Sequence, residues 1–165
     1  MTAELAGATR RDREDLRDAV EELTRSLTPS YWIDPLHPVV KRAGDRVYDH
    51  DIDAVRAFRD RLRDPRSAVA DAKLQAWIDA LVRIDRMIAR LAIDEATAAH
   101  GNARRLADAA RELAKGDARV AAGRPASGIQ QYAEAWDDAK DSLARPGKRG
   151  DRDHDRDRSH DDDMD

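Results

Sequence analysis

The chain has 165 residues, of which 41% are hydrophobic, 39% charged and only 4% aromatic. That is enough for one domain with a real core, but a core leaning on Leu, Ile, Val and Ala, which suits closely packed helices and excludes the β-branched and aromatic layers of a sandwich or barrel. The net charge of −4, from 34 acids and 30 bases with the signs interspersed, excludes the basic footprint of a nucleic-acid binder, and the absence of cysteine excludes disulfides, thiolate metal sites and a cysteine nucleophile.

No stretch reaches the apolar length of a membrane span, and Met1 to Asp18 carries charges throughout, unlike a signal peptide. A first helix is predicted from Thr9 to about Leu27, with Leu16, Val20, Leu23 and Leu27 on one face and Pro29 as its stop. Ser30 to Asp45 reads as irregular, interrupted by Pro35, Pro38 and Gly44, although Asp34-Pro35 has the cap-then-proline signature of a short helix. The second helix is expected over Asp49 to Arg63, burying Tyr48, Ile52, Val55, Phe58 and Leu62. After Pro65 comes a long third helix, Arg66 to Ala99, with Asp71 as a point of interruption. Leu74, Trp77, Leu81, Ile84, Ile88 and Leu91 recur in it at spacings of three and four, one stripe along a helix of 3.6 residues per turn.

His100-Gly101-Asn102 reads as a stop, with Gly101 in the left-handed position and His100 near the negative dipole end. The fourth helix is predicted from Asn102 to Lys115 with Leu106, Ala109, Ala110 and Leu113 inward and Gly116 closing it. A turn at Gly123 to Pro125 leads into a fifth, Ala126 to Leu143, whose face is Ile129, Tyr132, Trp136 and Leu143. Arg145-Pro146-Gly147 ends the folded part. Beyond it Met164 is the one large apolar residue, too little to offset the entropy of ordering. The expected fold class is therefore all-α: an antiparallel bundle of about five helices over residues 1–144, with a disordered charged C-terminal tail over 145–165.

Chemistry has few candidates. In the tail, Asp151, Asp153 and Asp155 followed by Asp162 echo the alternate-residue oxygens of a calcium loop, but Arg156 stands where the sharp turn needs Gly. The metal expectation there is weak divalent-cation binding through Asp153, His154, Asp155, Asp157, His160 and Asp161, set against the plainer reading of a solvated tail. Asp49, His50, Asp51 and Asp53 form a second acidic cluster. It reads better as a helix cap followed by acids at the positive helix end than as a ligand set, because His50 and Asp53 are not spaced i, i+4. Asp85 sits among Ile78, Val82, Ala89 and Ala92 on a flank of the third helix's stripe. A half-buried carboxylate there is an acid or base with a raised pKa, or an acceptor for a neighbouring Tyr or Trp, and the hydrogen bond is the expectation. His37 and His100 each stand alone, as caps or surface residues, and Tyr31 with Trp32 is expected to form a lid over one end of the bundle. The chain contains no Gly-rich phosphate loop, nucleophile elbow or paired-His zinc helix, so no catalytic residue and no cofactor is assigned.

One resemblance covers about Tyr31 to Leu143. Trp32-Ile33-Asp34 through Gly44, Val47-Tyr48 and Ala54-Val55 open it, and Leu81-Val82-Arg83-Ile84-Asp85-Arg86 follows. Gly116-Asp117, Gly123, Ile129, Tyr132, Ala135-Trp136 and Ala139 complete it. This pattern resembles a small helical domain of poorly characterised secreted or surface bacterial proteins, and its second helical hairpin is similar to a tetratricopeptide unit. Gly128 stands where such helices usually carry Ala, and no repeat array follows. The resemblance implies export, an extracellular or cell-surface location and an accessory role, and brings no catalytic residues. The function expected is a non-enzymatic interaction or spacer domain with a protein or cell-surface partner. The alternative is a metal- or small-ligand-binding bundle with its site near Asp85 and Trp32.

Overall fold

The structure, a computed structural model, describes residues 10–35, 37–38 and 43–143. It is an all-α bundle of five helices: α1 (Arg10–Ser26), α2 (Ala43–Arg63), α3 (Asp71–Ala98), α4 (Ala103–Ala121) and α5 (Pro125–Ser142). Between α1 and α2 a single 3-10 turn (Pro29–Tyr31) precedes two short antiparallel strands, β1 (Trp32–Asp34) and β2 (His37–Pro38). Asp34-Pro35 therefore opens a hairpin turn and not a short helix. The tail cation residues Asp153, His154, Asp155, Asp157, His160 and Asp161 lie outside the described residues, and so does the expected disorder of 145–165.

α1 lies on α2 through Leu16 and Ala19, while Leu27, past the helix end, is exposed. α4 and α5 form a close hairpin on which α3 packs, mainly through α5, and α2 packs on both α3 and α5. α2 presents Val47, Tyr48, Ile52, Val55 and Phe58 to the core; α5 presents Ile129, Tyr132 and Trp136, with Leu143 left exposed. Phe58 meets Trp77 at 5.3 Å and Tyr48 meets Trp136 at 6.2 Å between ring centroids, which ties α2 to α3 and α5. Such tilted aromatic pairs add about 0.5–1.5 kcal/mol beyond their buried area.

Several boundaries moved for identifiable reasons. α2 starts a turn and a half before Asp49, because Gly44 lets the helix approach the Trp136 indole, where any side chain would overlap the ring. Residues 66–70 stay outside α3, which begins at Asp71. The left-handed position after α3 is His100, with φ 58°, and not Gly101. The Gly101 N–H donates to the Ala96 carbonyl at 2.8 Å, as in a Schellman ending, and Gly101 is needed because a Cβ would crowd Ser142. Asn102 caps α4, its Oδ1 accepting from the N–H groups of Arg104 and Arg105 at 3.1 and 3.2 Å, worth about 1 kcal/mol.

α4 also runs straight through Gly116 to Ala121. Gly116 is not a terminator. It is the point where α4 approaches α5, and Gly128 is its counterpart across the contact.

The face of α3 is the largest correction. Leu74, Ile78, Val82, Asp85, Ile88, Ala89, Ala92, Ile93 and Ala96 are buried, whereas Trp77, Leu81 and Leu91 are half-buried and Ile84 is exposed. At about 100° per residue, the inward face is turned by nearly one residue from the stripe of larger side chains. α2, α4 and α5 all pack on α3 and the approach to α5 is close, so the helix turns its small residues, Ala89, Ala92 and Ala96, inward.

Candidate functional site

That rotation puts Asp85 in the middle of the buried face, 0% exposed, instead of half-buried on a flank. Across from it on α2 stands Asp51, 5% exposed. Asp51 continues the row Tyr48, Val55, Phe58, just as Asp85 continues the row Ile78, Val82, Ala89, Ala92. Two helices each break an apolar row with one carboxyl, and the breaks meet.

The expected hydrogen bond from Tyr or Trp to Asp85 is not made. Tyr48 Oη, near Asp85, and Trp136 Nε1 are buried and both lack a partner, as do both Asp85 oxygens and Asp51 Oδ1 by donor–acceptor geometry. What joins the two carboxyls is a proton. Burial, then the charge of Asp51 and the hydrogen bond with it, push the Asp85 carboxyl well above the ordinary carboxylate range. Burial also raises Asp51, to about 6, although Ser26 of α1 and the protonated Asp85 both bond it and hold it lower. Two like charges this close in a dry core do not both ionise, so Asp85 carries the proton and Asp51 accepts from it. Burial first, and then the neighbouring acids Asp85, Asp137 and Asp51, push the Tyr48 phenol up and keep it neutral.

The remaining members of the Asp49 cluster diverge, because α2 spreads consecutive residues around its axis. Asp49 lies inside the helix and is no cap. His50 turns to α1, where its Nδ1 lies 2.7 Å from Glu22 Oε2, and Asp53 turns outward to Arg56 at 2.8 Å. Tyr31 stacks on His50, with ring centroids 6.3 Å apart and planes at 11°, and the Arg46 guanidinium lies 5.9 Å from the Tyr31 ring centre. Glu22, Arg25, Tyr31, Arg46, Asp49, His50 and Asp53 line a surface cleft of about 530 Å³. Tyr31 thus belongs to a surface cleft, while Trp32 packs on the core and donates its Nε1–H to the Ser26 carbonyl at 2.7 Å.

His37 is not solitary either. Its Nδ1 lies 2.6 Å from Asp34 Oδ2 and its Nε2 2.5 Å from Glu95 Oε1 on α3. Carboxylates on both nitrogens require two N–H donors, so the ring is an imidazolium. Asp34 first and Glu95 second raise its pKa above the usual 6.5. Lys140 of α5 reaches Glu95 from the other side at 3.4 Å. Asp34 at i−3 was visible in the sequence; Glu95, 58 residues away, was not. His100 is exposed at the α3 terminus.

Neither the Glu22–His50 cleft nor a second cleft of about 750 Å³ lined by Asp18, Asp60, Arg61 and Arg66 is lined by Asp85 or Trp32. Among the described residues no three His, Asp or Glu side chains converge as metal ligands, and no helix is long and apolar enough to cross a membrane. No protein-family model matches the chain, and no curated protein or solved structure is detectably similar to it.

Proposed function

We propose that the chain is a non-enzymatic helical interaction domain and, on the resemblance drawn from its sequence, part of an exported bacterial protein. One observation carries this reading. The rotation of α3 leaves its larger side chains as an outer row: Ile84 and Met87 are 44% and 47% exposed, continued by half-buried Trp77, Leu81 and Leu91. From Trp77 to Leu91 the row spans about 21 Å at 1.5 Å per residue. Its exposed neighbours Arg83, Arg90 and Asp94 form a charged rim. A narrow apolar row on a rigid helix fits the apolar stripe of one amphipathic helix from a partner protein, by the same ridge packing that joins helices within a bundle. The buried acid pair supports the same reading, because Asp85, sealed in the core, does not reach a substrate.

A photoreactive residue in place of Met87 tests this. It is expected to crosslink, in cells, to an amphipathic helical segment of another protein, and Ile84→Glu is expected to abolish the crosslink while shifting stability by less than about 0.5 kcal/mol, as at other surface positions. A crosslink joining two copies of this chain, or unfolding by Ile84→Glu, overturns the reading.

The Glu22–His50 cleft favours a second reading, a small-ligand-binding bundle. Its lining sets Asp49 and Asp53 against Arg25 and Arg46, a lining suited to a small zwitterion. Titration with a panel of amino acids, followed through the His50 ring resonances, is expected to move them in the micromolar range if that reading holds; resonances unmoved below 1 mM end it.

A further inference from the structure

The bundle divides into two parts: α1, the hairpin and α2 on one side, and α3, α4 and α5 on the other. The seam between them carries the aromatic pairs Tyr48–Trp136 and Phe58–Trp77. Among the described residues, three polar contacts that cross it are of an unusual kind. Asp51 faces Asp85 in the core. At the rim, Asp45 of α2 faces Asp137 of α5, both solvent-exposed. At the hairpin, His37 is held by Glu95. An acid pair is attractive only when one member keeps a proton, and a histidine–carboxylate pair is ionic only when the ring is protonated.

The polar contacts inside the α3–α5 part are different. Arg86 pairs with Asp117 at 2.7 Å and Arg105 with Asp138 at 2.9 Å, Lys140 reaches Glu95, and Tyr132 donates to Asp117 at 2.8 Å. None of these contacts joins two carboxyls or depends on a histidine, and the hydrogen bond from Arg86 holds the Asp117 carboxyl below the ordinary carboxylate range.

We propose that the seam between the α1–α2 part and the α3–α5 part is a proton-operated joint, closed in mild acid and loosened as the pH rises, while the α3–α5 part keeps its packing. The groups that face these contacts from neighbouring elements are accounted for. Ser26 of α1 and His50 beside it on α2 meet Asp51, Tyr48 of α2 and Tyr132 of α5 meet Asp85, Asp138 and Asp141 flank Asp137, and Asp34 and Lys140 flank the His37–Glu95 pair. Neither phenol brings a charge into the seam below pH 9. Ser26, by its hydrogen bond, and His50 beside it both favour ionised Asp51 and so oppose the effect. Screening makes the exposed Asp45–Asp137 contact the weakest of the three.

The direction follows from proton linkage. Asp51 and Asp85 bind protons more tightly folded than unfolded, so their contribution is full below about pH 4 and is lost as pH rises through their folded values. His37 adds to this, full below about 6.5 and lost as pH rises through its raised value. Each proton held only by the folded state changes the folding equilibrium about tenfold per pH unit.

Urea unfolding of the full chain at pH 5.5 and 7.5, followed by tryptophan fluorescence, tests the sign: the folding constant is expected to fall at least tenfold across that interval. Asp85→Asn keeps a donor toward Asp51 but needs no proton, and is expected to remove most of the fall. A second measurement stands on the wild-type chain alone. Hydrogen exchange at pH 8.5, corrected for the intrinsic rate, is expected to show lost protection in α2 and retained protection in α4 and α5. A folding constant that is flat or rises from pH 5.5 to 7.5 overturns the proposal, and so does uniform loss of protection across all five helices.

Discussion

Trp136→Ala is expected to destabilise the fold by about 3–5 kcal/mol, the range for removing a large buried aromatic. The indole is 1% exposed, lies 6.2 Å from the Tyr48 ring and fills the space that Gly44 leaves open on α2. No other aromatic pair joins α2 to α5 among the described residues. Truncation therefore opens a cavity at the seam that the surrounding helices fill only in part. Chemical unfolding followed by circular dichroism measures the cost. Trp136→Phe separates packing from polarity. The Trp136 Nε1–H is buried without an acceptor, and an unpaired buried donor costs about 1–3 kcal/mol, so Phe is expected to recover most of the loss. A loss below 1 kcal/mol for Ala would show that the indole does not hold the seam.

Gly116→Leu is the second large effect, expected at about 2–3 kcal/mol and directed at the α4–α5 contact. A Cβ on Gly116 would stand 2.6 Å from Tyr132 Cδ1 and 3.1 Å from the Gly128 carbonyl oxygen. Tyr132 is buried, and its hydroxyl is held by Asp117, so the ring does not swing aside without breaking that bond. Overpacking typically costs about 1–3 kcal/mol and occasionally more. Overlap with a fixed ring and a backbone carbonyl places this site at about 3–4 kcal/mol, of which about 2–3 kcal/mol remains after the gain of roughly 1 kcal/mol from replacing a helical glycine. Gly123→Ala is the informative control. Nothing lies within 4 Å of a Cβ there, but φ is +72°, so its cost of about 1–2 kcal/mol comes from the left-handed backbone alone. Thermal denaturation of both variants checks the order; a Gly116→Leu protein as stable as Gly123→Ala would mean that α4 and α5 do not pack at Gly116.

The acid pair shows how far local pattern carries. Asp85 was visible as a break in a row of small and apolar residues, and Asp51 breaks its own helix's row in the same way, yet the match between the two is a fact about how α2 docks on α3. The outer row behaves similarly. Trp77, Leu81, Ile84 and Leu91 look like core by spacing, because a helix with a wide apolar arc offers two candidate faces and periodicity ranks them by size. Packing ranks them by fit. Close approach to α5 favours Ala89, Ala92 and Ala96, and the bulky side chains are displaced to the flank. The same competition explains Gly116, which reads as a terminator from composition and is a contact point in the bundle.

By itself, the sequence determined the all-α class, five helices near their observed positions, and most of the apolar residues that α2 and α5 bury, Leu62 and Leu143 excepted, because amphipathic periodicity, proline stops and helix caps act within a few residues. The tertiary structure alone decided which face of α3 turns inward, that His37 meets Glu95, that His50 meets Glu22, and that two lone aspartates are buried against each other. Those contacts join residues 28 and 58 positions apart in two cases and separate elements in all of them, and their energies depend on desolvation, which exists only once the elements have closed over them.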